Sequence, residues 1–197
     1  TVIRIPASRP KPKSAEEYYA LVIDNRVHFI DPFTPLKMFG DEFRQEKRNF
    51  PNERIKRQGA DRYIYRSGPI LKHYEKFDFK NPRNQEVKLV ANPNWTKMKI
   101  RVSPDLKEGG TSLEELKKKD SNFAKIVYKL SSNIRSLLYF YVHPNSFNTY
   151  LQARRVTDKA RVSAVWKVEE MRTHSIRIDD VEIRKEKEPP PTKPGPE

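Results

Sequence analysis

Six apolar residues in a row, Leu137–Val142 (LLYFYV), are closed by His143-Pro144. A run of that length, bounded by turn residues, predicts a strand buried on both faces. After it, Phe147, Tyr150, Leu151 and Ala153 fall on one helical face, predicting a helix from a cap at Asn145 or Ser146 to about Asp158. Val162–Val168 (VSAVWKV) then alternates, with Val162, Ala164, Trp166 and Val168 on one side. Strand, helix and strand within 137–168 predict a right-handed βαβ unit with parallel strands.

The same reading covers the rest of the body. Ala20–Ile23 and Val27–Ile30 are β-prone runs separated by Asp24, Asn25 and Arg26, which is hairpin chemistry. Thr34-Pro35 predicts a helix start, with the helix running from about Pro35 to Arg48 and Leu36, Phe39, Phe43 and Phe50 available to pack. Arg62–Arg66 (RYIYR) predicts a strand, and Ile70–Phe79 fits either a short helix or a strand. Glu86–Val90 and Met98–Val102 alternate across the turn residues Asn92-Pro93-Asn94 and predict a second hairpin. Ser112-Leu113-Glu114-Glu115 has the spacing of a capping box. Phe123, Ile126, Val127, Leu130 and Ile134 share one helical face, and Ile176–Ile183 is a last candidate strand. Together these predict an α+β fold: a mixed sheet with an N-terminal hairpin, a C-terminal right-handed βαβ unit and helices packed on the sheet.

The ends read differently. Residues 1–13 (TVIRIPASRPKPK) are basic and punctuated by proline, predicting an arm. Residues 184–197 (RKEKEPPPTKPGPE) lack large apolar side chains and predict a disordered or polyproline tail. A single domain over 14–183 lies between them.

Composition narrows the chemistry. The 197 residues contain no cysteine, which excludes a disulfide scaffold, a thiol nucleophile and Cys-ligated metal. No apolar run approaches the roughly 18–20 residues of a membrane-spanning helix. The four histidines, His28, His73, His143 and His174, show no metal-ligand spacing, and Gly109-Gly110 lacks the pattern of a phosphate loop. Ser146 has no flanking glycine, so helix capping is its expected role. No catalytic residue, cofactor or metal ligand is assigned.

The formal charge is +14. Between Arg44 and Lys72 there are nine basic and three acidic residues, interleaved with Phe50, Tyr63, Ile64 and Tyr65. Cations mixed with aromatics suit single-stranded nucleic acid, and also suit acidic polymers and anionic membranes. The candidate binding surface is Arg44, Lys47, Arg48, Arg54, Lys56, Arg57, Arg62 and Arg66. Arg154 and Arg155 on the last helix, and His143 at the end of the buried strand, join it as candidates. For the two helical arginines the plainer role is to complement a helix C-terminus.

Two stretches resemble uncharacterised bacterial proteins. YYALVIDNRVHFIDP (Tyr18–Pro32) resembles their opening strand pair. Tyr139–Trp166 resembles their closing βαβ segment, through Val142, Pro144, Ser146, Phe147, Tyr150, Ala153, Arg154 and Trp166. The arrangement looks like the ExbD/TolR-type partners of proton-driven membrane motors, in which a soluble domain follows one membrane helix. That resemblance implies a non-enzymatic interaction or scaffolding domain of a membrane-associated bacterial protein. It further implies an extracytoplasmic, envelope-associated location and a membrane helix upstream of the arm. The family's cysteine in the first strand pair is missing here, and so is the membrane helix with its acidic residue, so no ion-coupling role is assigned. The expected partner is a protein or an anionic envelope surface, with self-association into a homo-oligomer a further alternative. The competing reading is a nucleic-acid-binding module using 44–72. A third is an enzyme whose site is assembled from residues distant in sequence.

Overall fold

The computed structural model describes residues 10–57, 59–81, 83–91 and 96–184. In chain order the elements are β1 (Glu16–Ile23), β2 (Arg26–Ile30), α1 (Phe33–Glu46), β3 (Asn52–Arg57), β4 (Ala60–Arg66) and α2 (Ser67–Tyr74). Then come β5 (Glu86–Ala91), β6 (Lys97–Ser103), β7 (Thr111–Ser112), α3 (Asn122–Ser131), β8 (Ser136–Val142), α4 (Phe147–Lys159), β9 (Ser163–Val168) and β10 (His174–Arg184). The class is α+β as the patterning predicts, with the strands divided between two mixed sheets rather than gathered in one.

The first sheet has the order β7-β2-β1-β8-β9. β1 and β2 form the predicted antiparallel hairpin, joined by Asp24 and Asn25 at positive φ (49° and 57°). β8 runs parallel to both β1 and β9. Layers on both faces of this central strand explain its composition: Leu137, Leu138, Phe140 and Val142 are all fully buried. Ala20, Val22, Phe140 and Ala164 face α3 and α4, where Phe123, Val127, Tyr150 and Ala153 complete one core.

The other face of this sheet meets the second sheet, ordered β3-β4-β10-β6-β5. Leu21, Ile23 and Ile30 pack there against Met98, Ile100, Val102 and Ile183, with Phe39 and Phe43 of α1 and Ile70 and Tyr74 of α2. The molecule is thus layered: helices α3 and α4, the first sheet, then the second sheet with α1 and α2. The first sheet and its helices come from 16–30 and 111–168. The second sheet comes from the intervening 31–110 together with β10.

Several local expectations are corrected. Thr34 does not cap α1. Asp31 does, its Oδ1 accepting from the amides of Phe33 and Thr34 (3.1 Å each) and its Oδ2 from the Thr34 hydroxyl (2.6 Å). Ile70 begins no strand; it is a buried residue of α2, whose first turn holds Pro69. Ile134 lies beyond the end of α3 and is 91% exposed. Ser146 caps nothing: it is buried and its Oγ accepts the Asn25 amide (3.1 Å), tying the hairpin turn to the end of β8. The Ser112–Glu115 capping box forms with both bonds in place, 2.7 Å and 3.3 Å, although only a 3-10 turn follows. The turn predicted at 92–94, the tail from 185 and the first nine residues of the arm lie outside the described residues.

A candidate interaction cleft

The basic region 44–72 folds into the C-terminal turns of α1, the β3–β4 ribbon and α2. β3 and β4 pair from Asn52–Tyr65 to Arg57–Ala60, but β10 pairs with β4 only at Ile64, Tyr65 and Arg66. The distal half of the ribbon therefore stands away from the sheet, held by its own ladder. Asn52, Arg54 and Lys56 share one ribbon face with Tyr65, Tyr63 and Asp61, because cross-strand partners point the same way.

Between that ribbon and α1 lies a cleft of about 890 Å³. Its walls include Lys37, Arg44 and Lys47 on one side and Asp61, Arg62 and Tyr63 on the other. Its floor is a bulge in β10. Arg177 pairs with Lys99 and Glu182 with Lys97, leaving Ile178–Val181 outside the ladder. Ile178 and Val181 turn into the core while Asp179 and Asp180 face solvent. Such bulges re-aim side chains locally. Below, an aromatic series runs inward: Tyr63 to Tyr65 (6.5 Å between centroids), Tyr65 to Phe43 (5.1 Å) and Phe43 to Phe39 (5.4 Å). Tyr63 is 48% exposed at the outer end.

Several cations in and beside the cleft are matched by carboxylates. Arg44 pairs with Asp41, and Arg54 with Asp61. Glu182, nearly buried, receives Arg62 Nη1 at 3.2 Å and lies 3.9 Å from Lys97 Nζ. Arg177 pairs with Asp179 at 2.6 Å. Hydrogen bonding from Lys37, reinforced by Arg44, holds the Asp41 carboxyl below the usual carboxylate range. A surface that sequence composition presents as strongly basic is thus a patchwork of both signs.

Of the predicted surface residues, Arg44, Lys47 and Arg62 line the cleft, and Arg54 and Lys56 are exposed on the ribbon. Arg48 and Arg66 are exposed nearby. The side chain of Arg57 lies outside the described residues. Arg155 and His143 are not brought to this site: α4 packs on the opposite face of the first sheet. His143 Nδ1 accepts the Asn145 amide at 3.4 Å, within its own turn.

Arg154 is a correction. It is fully buried, with Nε 3.1 Å from Asp158 Oδ1 and Nη1 donating to the Ala164 carbonyl at 2.7 Å. Its charge locks α4 to β9 and is not available at the surface. At i and i+4 on a helix that ends beside a strand, the Arg154–Asp158 pair faces inward. A cluster count cannot detect that.

Sequence reasoning missed the β10 floor. The signal was present in IRIDDVEI: the apolar alternation Ile176, Ile178 restarts out of phase at Val181, Ile183. A change of phase inside a strand is the mark of a bulge.

Among the described residues no group of three or more His, Asp or Glu side chains is arranged to hold a metal. No described helix is long and apolar enough to cross a membrane. No protein-family model matches this chain, and neither the curated proteins nor the solved structures hold a significant match to it.

Proposed function

We propose that this chain is a non-enzymatic interaction or scaffolding domain of a membrane-associated bacterial protein, and that the cleft between α1 and the β3–β4 ribbon holds its protein partner. The observation that carries this reading is the internal charge matching of the cleft. A polyanion would have to displace Asp41, Asp61, Asp179 and Glu182 from the cations it needs. A protein segment bearing both signs meets complementary groups on each wall, with Tyr63 as an amphipathic anchor of the kind enriched at interfaces. The membrane and bacterial parts of the proposal rest on the ExbD/TolR-like stretches at Tyr18–Pro32 and Tyr139–Trp166.

The runner-up is nucleic-acid binding, favoured by one observation. The ribbon projects Arg54 and Lys56 on one face beside Tyr63, and a two-stranded ribbon fits a major groove. A photo-crosslinking residue placed at Tyr63 in cells separates the two. Protein adducts that disappear when Arg62 and Arg44 are reversed to Glu support the proposal. Nucleic-acid adducts, with affinity falling steeply as salt rises, would replace it with the runner-up.

A further inference from the structure

A second cleft lies on another part of the molecule, where β1 outruns β2. β1 pairs with β8 from Glu16 onward but with β2 only from Tyr19, so its first three residues have an open edge. The chain turns away there at Asp31 into α1. The resulting cleft measures about 650 Å³, within the range of small-molecule sites. Tyr18, Phe29, Ile126 and Leu130 give it an apolar lining.

Its cations are placed by a built framework. The Gln85 side chain donates to the Phe29 carbonyl (2.6 Å) and accepts from the Asp31 amide (3.4 Å), so the segment 83–85 is strapped to the end of β2. Asn81 Oδ1 accepts the Arg83 amide at 2.8 Å, and the Asn81 carbonyl accepts the Asn84 amide at 3.0 Å. This turn sets the Arg83 guanidinium 5.2 Å from the centre of the Phe29 ring. Lys129 of α3 stands on the opposite wall.

The charges at the cleft are unequally engaged. Glu17 accepts from the hydroxyls of Tyr19 (2.9 Å) and Tyr139 (3.2 Å) and pairs with Lys11 (3.1 Å). Asp31 is committed to the start of α1. Arg83 and Lys129 have no carboxylate within ion-pair distance among the described residues. The Ser136 hydroxyl, on a residue that borders the cleft, is buried without a partner. The unmet valence is therefore for an anion. Glu17 and Asp31, both negative and close by, disfavour a dianion.

We propose that this cleft binds a small organic carboxylate with a flat apolar body. The carboxylate lies against Arg83, whose fork suits it, and the body lies along Tyr18, Ile126 and Leu130. The test is an amide-resolved NMR titration of the full chain with benzoate, with benzylamine and phenyl phosphate as comparators. Benzoate should give saturable shifts confined to 17–19, 29–31, 83–85 and 126–136. Arg83→Gln should weaken it at least tenfold and Lys129→Gln severalfold, with the melting temperature unchanged for Lys129→Gln and lowered only slightly for Arg83→Gln, through its contact with Phe29. Benzylamine should not saturate, and phenyl phosphate should bind more weakly than benzoate. Non-saturating benzoate shifts, shifts elsewhere, or an affinity indifferent to Arg83→Gln would overturn the assignment. Tighter binding of phenyl phosphate would overturn the carboxylate.

Discussion

The two sheets solve the same packing problem with opposite kinds of sequence. In the first sheet β8 is covered on both sides, and its residues read as an unbroken apolar run. In the second, β6 buries Met98, Ile100 and Val102 while Lys97, Lys99 and Arg101 point the other way. The ribbon at its edge buries almost nothing beyond Tyr65. Apolar continuity fixes the first sheet between two layers, and a one-sided sheet leaves a whole face free to carry charge. The larger share of the packing stability is therefore expected in the first sheet, and the charge-bearing cleft belongs to the second.

The sharpest way to break that comparison is to cut into the first sheet's core. Phe140→Ala, at a residue 1% exposed, should cost about 3–5 kcal/mol in chemical denaturation. Arg154→Ala belongs with it at about 3–5 kcal/mol, since it strands the Ala164 carbonyl and Asp158 beside a buried cavity. A loss below 1 kcal/mol at either position would mean that the first sheet is not the rigid half.

Acid provides the next test, across both sheets. Burial, with Arg26 nearby, lowers the His28 pKa to about 4, and burial alone does the same for His174. His174 stacks on Tyr19 at 4.6 Å, at the join between the sheets. Below the ordinary value near 6.5 the unfolded chain takes up protons that the folded chain refuses. Stability should fall as pH drops from 6.5 towards 4, by at most about 3 kcal/mol per histidine. Urea midpoints against pH should show it, and His174→Phe should remove roughly half the slope.

Smaller effects sharpen the contrast. Ser146→Ala should cost about 1–2 kcal/mol by leaving the Asn25 amide unpaired. Tyr63→Ala on the exposed ribbon should shift stability by less than about 0.5 kcal/mol while reducing partner capture. A large stability loss there would make Tyr63 a packing residue and empty the cleft of its anchor.

What the sequence disclosed follows the same division. The β1–β2 hairpin, the β5–β6 hairpin and the β8–α4–β9 unit were legible because each carries a strong period or a continuous apolar run. β3 (NERIKR) was not, since its one large apolar residue, Ile55, sets no alternation and its pairing with β4 makes it a strand. The second sheet was invisible as a separate layer because alternation says which face is buried and not against what. Five of the basic candidates did come together on α1 and the ribbon. Two of their carboxylate partners, Asp41 for Arg44 and Asp61 for Arg54, lie close in sequence, whereas Glu182 on β10, 120 residues after Arg62, came only with the fold.

The parallel pairing of β1 with β8 also has a kinetic side. Glu16 finds its partner Ser136 about 120 residues further along. By loop-closure scaling, joining such distant segments costs about 2 kcal/mol more than closing a ten-residue turn. A chain of this topology gains little from that contact until the segments between have condensed, and high contact order slows folding. During synthesis the N-terminal hairpin must wait with the β8 side of β1 unpaired until residues 136–142 have emerged. The nascent chain is then most exposed to wrong strand partners, and an early stall in translation there would hold it in that state.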